Sequence, residues 1–200
     1  MSTSTNILCF AGSLRHDSFN KKLAKIAMQG ATDAGAKVTY IDLKDYQLPV
    51  YDGDFEAKSS LPDNAVKLKE LFLKHDGLLM SCPEYNSSVT GVWKNVIDWV
   101  SRPATDNEPM LHCFTGKIAG IMSASPGALG GLRGLVHVRA ILENINVMVI
   151  PDQIAISQAM SAFTPDGERL LDEKKDASVR KIGHKLAEVC ARLQLVAKVS

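Results

Sequence analysis

Short apolar runs alternate along this chain with stretches whose apolar positions recur every three or four residues. Residues 6–11 predict a first strand. Residues 18–34 predict a helix with Leu23, Ala27, Ala31 and Ala34 on one face, stopped by Gly35. Val38-Thr39-Tyr40-Ile41-Asp42 predicts a second strand. The connection from Lys44 to Leu61 is long for an α/β unit, which marks it as a functional loop. Pro62 suits the first turn of a helix that turns Ala65, Leu68 and Phe72 inward. Gly77-Leu78-Leu79-Met80-Ser81 reads as a buried third strand. A helix from about Ser88 to Arg102 follows, stopped by Pro103. Residues 117–123 predict a fourth strand. Leu135, Val138, Leu142 and Ile145 have helical spacing, and Val147-Met148-Val149-Ile150 predicts a fifth strand ended by Pro151. Val179, Ile182, Leu186, Val189, Leu193 and Val196 then give the clearest helical stripe of all. Five apolar strands alternating with helices imply a doubly wound parallel sheet in one domain over residues 1–200.

In such sheets the ligand lies beyond the carboxyl ends of the strands, at the switch in strand order. Three segments fall at that edge. Gly12-Ser13-Leu14-Arg15-His16-Asp17-Ser18-Phe19-Asn20 joins a strand to a helix and suits a phosphate. Ser13, Ser18 and Asn20 offer side-chain donors, the helix N-terminus offers unpaired N–H groups, and Arg15 adds positive charge. Asp17 is placed to cap the helix. A polar turn with no ligand is the plainer reading of this stretch alone. The second segment, Pro83-Glu84-Tyr85-Asn86-Ser87-Ser88, offers an aromatic face in Tyr85. The Asn86 amide suits the edge of a ring that carries both donors and acceptors. Lys94, Asn95 and Asp98 beyond it read as braces for the loop, and Trp93 and Trp99 as core or interface. The third, Ser123 to Gly131, is small and glycine-rich, so a ligand can approach its backbone closely. Arg133 reads either as a cation for a second ligand or as an interface ion-pair partner.

Composition narrows the classes. With 23 basic and 22 acidic residues the chain carries a formal charge of +1, which argues against nucleic acid as a partner. No apolar stretch reaches the length of a membrane span, and Met1 to Asn6 is too polar for a secretory signal. Cys9, Cys82, Cys113 and Cys190 form no C-x-x-C pair and share no ligand spacing with the histidines. They read as buried thiols in a cytoplasmic protein, without a metal site. The chain has no G-x-G-x-x-G after a strand, no P-loop and no G-x-S-x-G elbow.

Two motifs carry a resemblance. G-S-L-R-x-x-S-x-N (Gly12 to Asn20) and P-E-Y-N-x-S-x-x-G-x-x-K-N-x-I-D-W (Pro83 to Trp99) resemble those of the NADPH-dependent FMN reductase family. This group of flavodoxin-like proteins includes quinone, chromate and azo-dye reductases. The resemblance implies a three-layer αβα sandwich with strand order 2-1-3-4-5. It implies that Ser13, Arg15, Ser18, Phe19 and Asn20 hold the FMN phosphate. Pro83, Glu84, Tyr85 and Asn86 would line the isoalloxazine, and Ser123 would close the pocket. It further implies NADPH or NADH as electron donor, a small-molecule acceptor, and a homodimer or homotetramer. Hydride would pass from the nicotinamide to FMN and electrons then to the acceptor in a ping-pong sequence, with no side chain required as an acid or base. Ala104 to Thr115 is longer than the family's usual connection, and Ser125 to Ala128 differs in detail. A flavin-binding electron carrier or redox sensor is the alternative, and a nucleotide-binding protein without redox chemistry a third.

Overall fold

The computed structural model describes the backbone of residues 5–197 and the side chains as far as Gln194. Val196, expected on the last helical stripe, has its side chain outside that range, as do residues 1–4 altogether.

Five parallel strands, β1 (Asn6–Ala11), β2 (Lys37–Ile41), β3 (Gly77–Ser81), β4 (Ile118–Ala124) and β5 (Met148–Ile156), form one sheet in the order β2-β1-β3-β4-β5. The helices are α1 (Phe19–Asp33), α2 (Gly53–Ser59), α3 (Asp63–Lys74), α4 (Gly91–Val100), α5 (Leu132–Asn144) and α6 (Glu173–Ala197). Successive strand residues point to opposite faces, so the unbroken apolar run of β1 serves two cores. Leu8 and Phe10 pack with Phe72, Trp93, Leu135, Val138 and Leu142 on the α3, α4 and α5 side. Ile7 and Cys9 pack with Leu23, Ala27, Ile182 and Leu186 on the α1 and α6 side. This is the flavodoxin-like arrangement expected from the sequence. The chain winds from β1 outward to β2, then crosses back to β3 on the other side of β1. The switch point therefore lies between the carboxyl ends of β1 and β3.

Several elements differ from expectation. Pro151 does not end β5. The register steps from Ala119–Val149 to Ile121–Gln153 around it, and the strand then continues to Ile156. At the sheet edge a residue without an N–H disturbs one partner only, so the ladder can resume. Helix α4 begins at Gly91 rather than Ser88, because residues 85–88 form a turn of their own. Pro62 is the N-cap of α3 and not part of its first turn. The connection from Lys44 to Leu61 begins within a 3₁₀ turn at Leu43–Asp45 and carries the short α2. It is pinned to α4: Asn95 Oδ1 accepts from Tyr51 N at 2.9 Å, while Asn95 Nδ2 and Trp99 Nε1 each donate to Pro49 O at 2.8 Å. Asn95 thus braces a loop, and Trp93 and Trp99 belong to the core.

Candidate flavin-binding site

The loop after β1 turns into α1 at Ser18. Its backbone is extended (φ −89°, ψ 127°), and its Oγ accepts from Asn20 N at 3.3 Å. Ser18, not Asp17, is therefore the cap; Asp17 instead pairs with Lys22 at 2.7 Å. Ser13 Oγ accepts from Arg15 N at 3.3 Å, which curls the loop over the helix start. Asn20 is almost fully buried and its amide ties three elements together. Oδ1 accepts from Ser81 Oγ at 2.8 Å and from Ala124 N at 3.0 Å, and Nδ2 donates to Ala124 O at 2.8 Å. A group expected to meet a phosphate thus locks the ends of β3 and β4 to α1. Phe19 stacks on Phe163 (centroids 5.8 Å apart, planes at 11°), so the segment after β5 backs the loop.

The second loop is a tight hairpin. Tyr85 N donates to Ser88 O and Ser88 N to Tyr85 O, both at 3.0 Å, with Asn86 (φ 50°) and Ser87 (φ 65°) between them. Positive φ at both central residues is the type I′ turn, which asparagine tolerates at its first position. The hairpin leaves Tyr85 half exposed with its ring available to a planar partner. Thr90 joins the two loops. Its buried hydroxyl donates to Gly12 O at 2.7 Å and accepts from Trp93 N at 3.3 Å, capping α4 in the same stroke. The sequence motifs do not single out Thr90, although a threonine directly before Gly91 and three residues ahead of Trp93 is a cap signal that could have revealed it.

These loops enclose a small cavity of about 70 Å³ lined by Ser13, Arg15, Ser18, Phe19, Asn20, Pro83, Glu84, Tyr85, Ala124, Ser125 and Pro126. Eight of the ten residues named from the sequence meet there. The other two do not. Asn86 is exposed at the hairpin tip, and the turn carries it off the lining. Ser123 is fully buried behind Ala124, with no partner for its Oγ among the described residues; it faces Gly131, where a Cβ would stand 2.0 Å from that oxygen. Glu84 reaches the cavity, but its carboxylate does not serve it. Oε1 accepts from Arg133 Nε at 3.0 Å and Nη2 at 2.5 Å, and Oε2 accepts from Gly134 N at 3.0 Å. Burial alone would push this carboxyl up, yet the Arg133 guanidinium and the Gly134 N–H outweigh it and hold it below the ordinary range. Arg133 is accordingly an ion-pair partner within the chain.

Two much larger hollows lie outside this cavity. One of about 800 Å³ runs along α1 and shares only Ser18 with the cavity; its Lys21 and Lys22 are paired with Asp42 and Asp17. The other, about 580 Å³, is apolar and lies between α4 and residues 43–51. Among the described residues no cluster of histidine, cysteine or acidic side chains could hold a metal, and no helix is long and apolar enough to cross a membrane.

A parallel sheet with a hydroxyl- and arginine-lined helix start at its switch point, beside a presented aromatic ring, defines an α/β mononucleotide-binding protein. The comparisons with known proteins narrow that class. The model of the NADPH-dependent FMN reductase family matches residues 5–161. The chain is 36% identical over 175 residues to an NAD(P)H-dependent FMN reductase of Pseudomonas aeruginosa, covering 87% of this chain and 89% of that one. It is 34% identical over 154 residues to a quinone reductase of Escherichia coli, covering 75% and 76%. Among solved structures, the flavoenzyme NAD(P)H:(acceptor) oxidoreductase FerB of Paracoccus denitrificans superposes with a TM-score of 0.78 at 27% identity, over 94% of this chain and 98% of that one. The chain belongs to the NADPH-dependent FMN reductase family and is an oxidoreductase that uses FMN and a nicotinamide nucleotide.

Proposed function

We propose that the chain is a single FMN-binding domain that oxidises NADPH or NADH and reduces a small-molecule acceptor by a ping-pong sequence. The acceptor would be a quinone, an azo compound, a metal oxyanion or free flavin. The convergence of the two sequence motifs on one cavity carries this reading. The donor set fits FMN: hydroxyls, helix N–H groups and a guanidinium suit a phosphate dianion, and Tyr85 with the Pro83–Tyr85 backbone suits a flat heterocycle. The flavin, when bound, supplies the two-electron chemistry. The protein's own residues hold and orient. Ser13, Arg15 and Ser18 grip the anionic end, with Phe19 as its wall. Asn20 keeps the strand ends in place, and Pro83, Glu84 and Tyr85 set the ring edge. The only carboxylate in the lining is already paired, so positioning rather than proton transfer is what the cavity supplies.

A cytoplasmic setting is supported by four free cysteines, all buried. A homodimer or homotetramer is supported by the apolar hollow beside α4. There Val50 stands 84% exposed although its neighbours are held to Asn95 and Trp99 by three hydrogen bonds.

The first test is a visible spectrum of protein incubated with FMN, desalted, and mixed with NADPH or NADH without air. Retained flavin absorbance that bleaches supports a reductase. Retention without bleaching points to a carrier, and loss of the flavin on desalting overturns the reading. In the same assay Arg15→Ala should weaken FMN binding by about 1.5–3 kcal/mol, at least tenfold in Kd. An unchanged Kd would remove Arg15 from the phosphate site.

A further inference from the structure

We propose that Arg133 is a positioning residue for the flavin reaction, acting through Glu84 to fix the hairpin that presents Tyr85. The inference rests on the flavin reading above and extends it to a helix that contributes nothing to the cavity lining. Helix α5 has Gly131 at its N-cap, hence no side-chain cap, and no acid in its first turn. Its exposed N–H groups and positive dipole end therefore want an anion. That anion comes from the flavin loop. Glu84 is 8% exposed at its side chain, and both carboxylate oxygens are taken up by Arg133 and by Gly134 N. A buried carboxylate next to a redox site would be costly if unpaired, and this one has three donors.

The clamp has a second point. His137 Nδ1 lies 2.9 Å from Ser88 Oγ, so α5 holds the hairpin just before it, at Glu84, and at its end, at Ser88. Gly134 permits the approach: a Cβ there would stand 3.2 Å from both Glu84 Cβ and Ser88 O. Within itself the hairpin has only two backbone hydrogen bonds. Two turns of α5 thus decide where Tyr85 stands relative to the phosphate loop. The anionic end of FMN would be gripped from α1, which does not depend on this clamp. Loss of the clamp should therefore affect how the ring is aimed more than how tightly the cofactor is held.

The experiment compares Arg133→Leu, Arg133→Lys and Glu84→Gln with the wild type. For Arg133→Leu, the FMN dissociation constant should stay within about threefold. The anaerobic rate of flavin reduction by NADPH at saturation should fall about ten- to a hundredfold, the size of effect expected from misplaced reacting groups. Arg133→Lys should restore part of the rate, and Arg133→Leu combined with Glu84→Gln should be no slower than the worse single variant. In the flavin-free protein, amide exchange at Tyr85 and Ser88 should quicken in Arg133→Leu while β1 and β3 amides keep their protection. If exchange quickens but the reduction rate is unchanged, Arg133 holds the loop only structurally and the proposal is wrong. Unchanged exchange together with an unchanged rate also overturns it. A wild type that retains no FMN would overturn the flavin reading itself and this proposal with it.

Discussion

Replacing Lys69 with methionine should lower stability by about 3–5 kcal/mol, a fall in Tm on the order of 10 °C. Lys69 is 5% exposed at its side chain and Glu108 11%, and their charged atoms lie 2.7 Å apart. The same ammonium donates to Val100 O at 3.2 Å and Arg102 O at 2.5 Å, the orphaned carbonyls where α4 ends. Glu108 in turn accepts from Ala104 N at 2.7 Å. One lysine therefore ties α3, the end of α4 and the 104–115 segment together. Removing it leaves the Glu108 carboxylate with Ala104 N but no counter-charge, and takes the lysine donor from two carbonyls. Lys69→Met combined with Glu108→Leu should recover much of the loss, because an absent pair costs less than a broken one. Urea unfolding with unchanged m-values reads both variants; a loss below about 1 kcal/mol for Lys69→Met would show that the pair is not truly desolvated. The pair also sets a pH dependence. Burial pushes the Glu108 carboxyl up, but Lys69 and the Ala104 N–H outweigh it and hold it below the ordinary range in the folded chain. A depressed folded value means a stabilisation that is complete above the unfolded carboxylate's pKa. It is lost as the pH falls through the folded one. Wild-type stability should drop in that acid window, and Glu108→Gln should flatten the drop.

The second large effect is expected at the crossing of α1 and α6. A Cβ on Gly183 would lie 1.9 Å from Ala27 O, and one on Gly30 would lie 2.0 Å from Arg180 O. The two helices touch backbone to backbone, and each glycine admits the other helix. Gly183→Ala gains about 1 kcal/mol of helix propensity. Against that, the clash is with carbonyls that cannot rotate away, so the cost belongs at or above the upper end of the roughly 1–3 kcal/mol typical of overpacking. The net result is destabilisation of about 2 kcal/mol or more. The helices must part, and α1 carries Ser18 and Asn20 at its start, so FMN affinity should fall together with stability. Gly30→Ala added to Gly183→Ala should cost less than its single effect, since the first substitution already opens the crossing. A Gly183→Ala protein as stable as the wild type, with normal FMN affinity, would refute this account.

Five strands in a doubly wound sheet follow from the order of residues, and the two family-like motifs add most of the cavity. Apolar runs of five or six residues without alternation, set between helical patterns, suit strands covered on both faces, and the hydroxyl-rich turn into α1 offers the donors that an anion needs. Local signals also misled where a neighbour decided the outcome. Pro151 ends a strand on its own evidence, yet β5 sits at a sheet edge and continues past it. Asp17 and Ser18 are both fit to cap a helix; the path of the loop gives the cap to Ser18 and leaves Asp17 to Lys22. Asn20 and Glu84 carry the chemistry of ligand-binding groups, but their partners lie 104 and 50 residues away in the chain, at Ala124 and Gly134. The backbone contacts of Gly30 and Gly183 likewise arise only when α1 meets α6. Periodicity and turn chemistry are local and can be read along the chain, whereas the use of a buried polar group depends on which distant donors the fold brings to it.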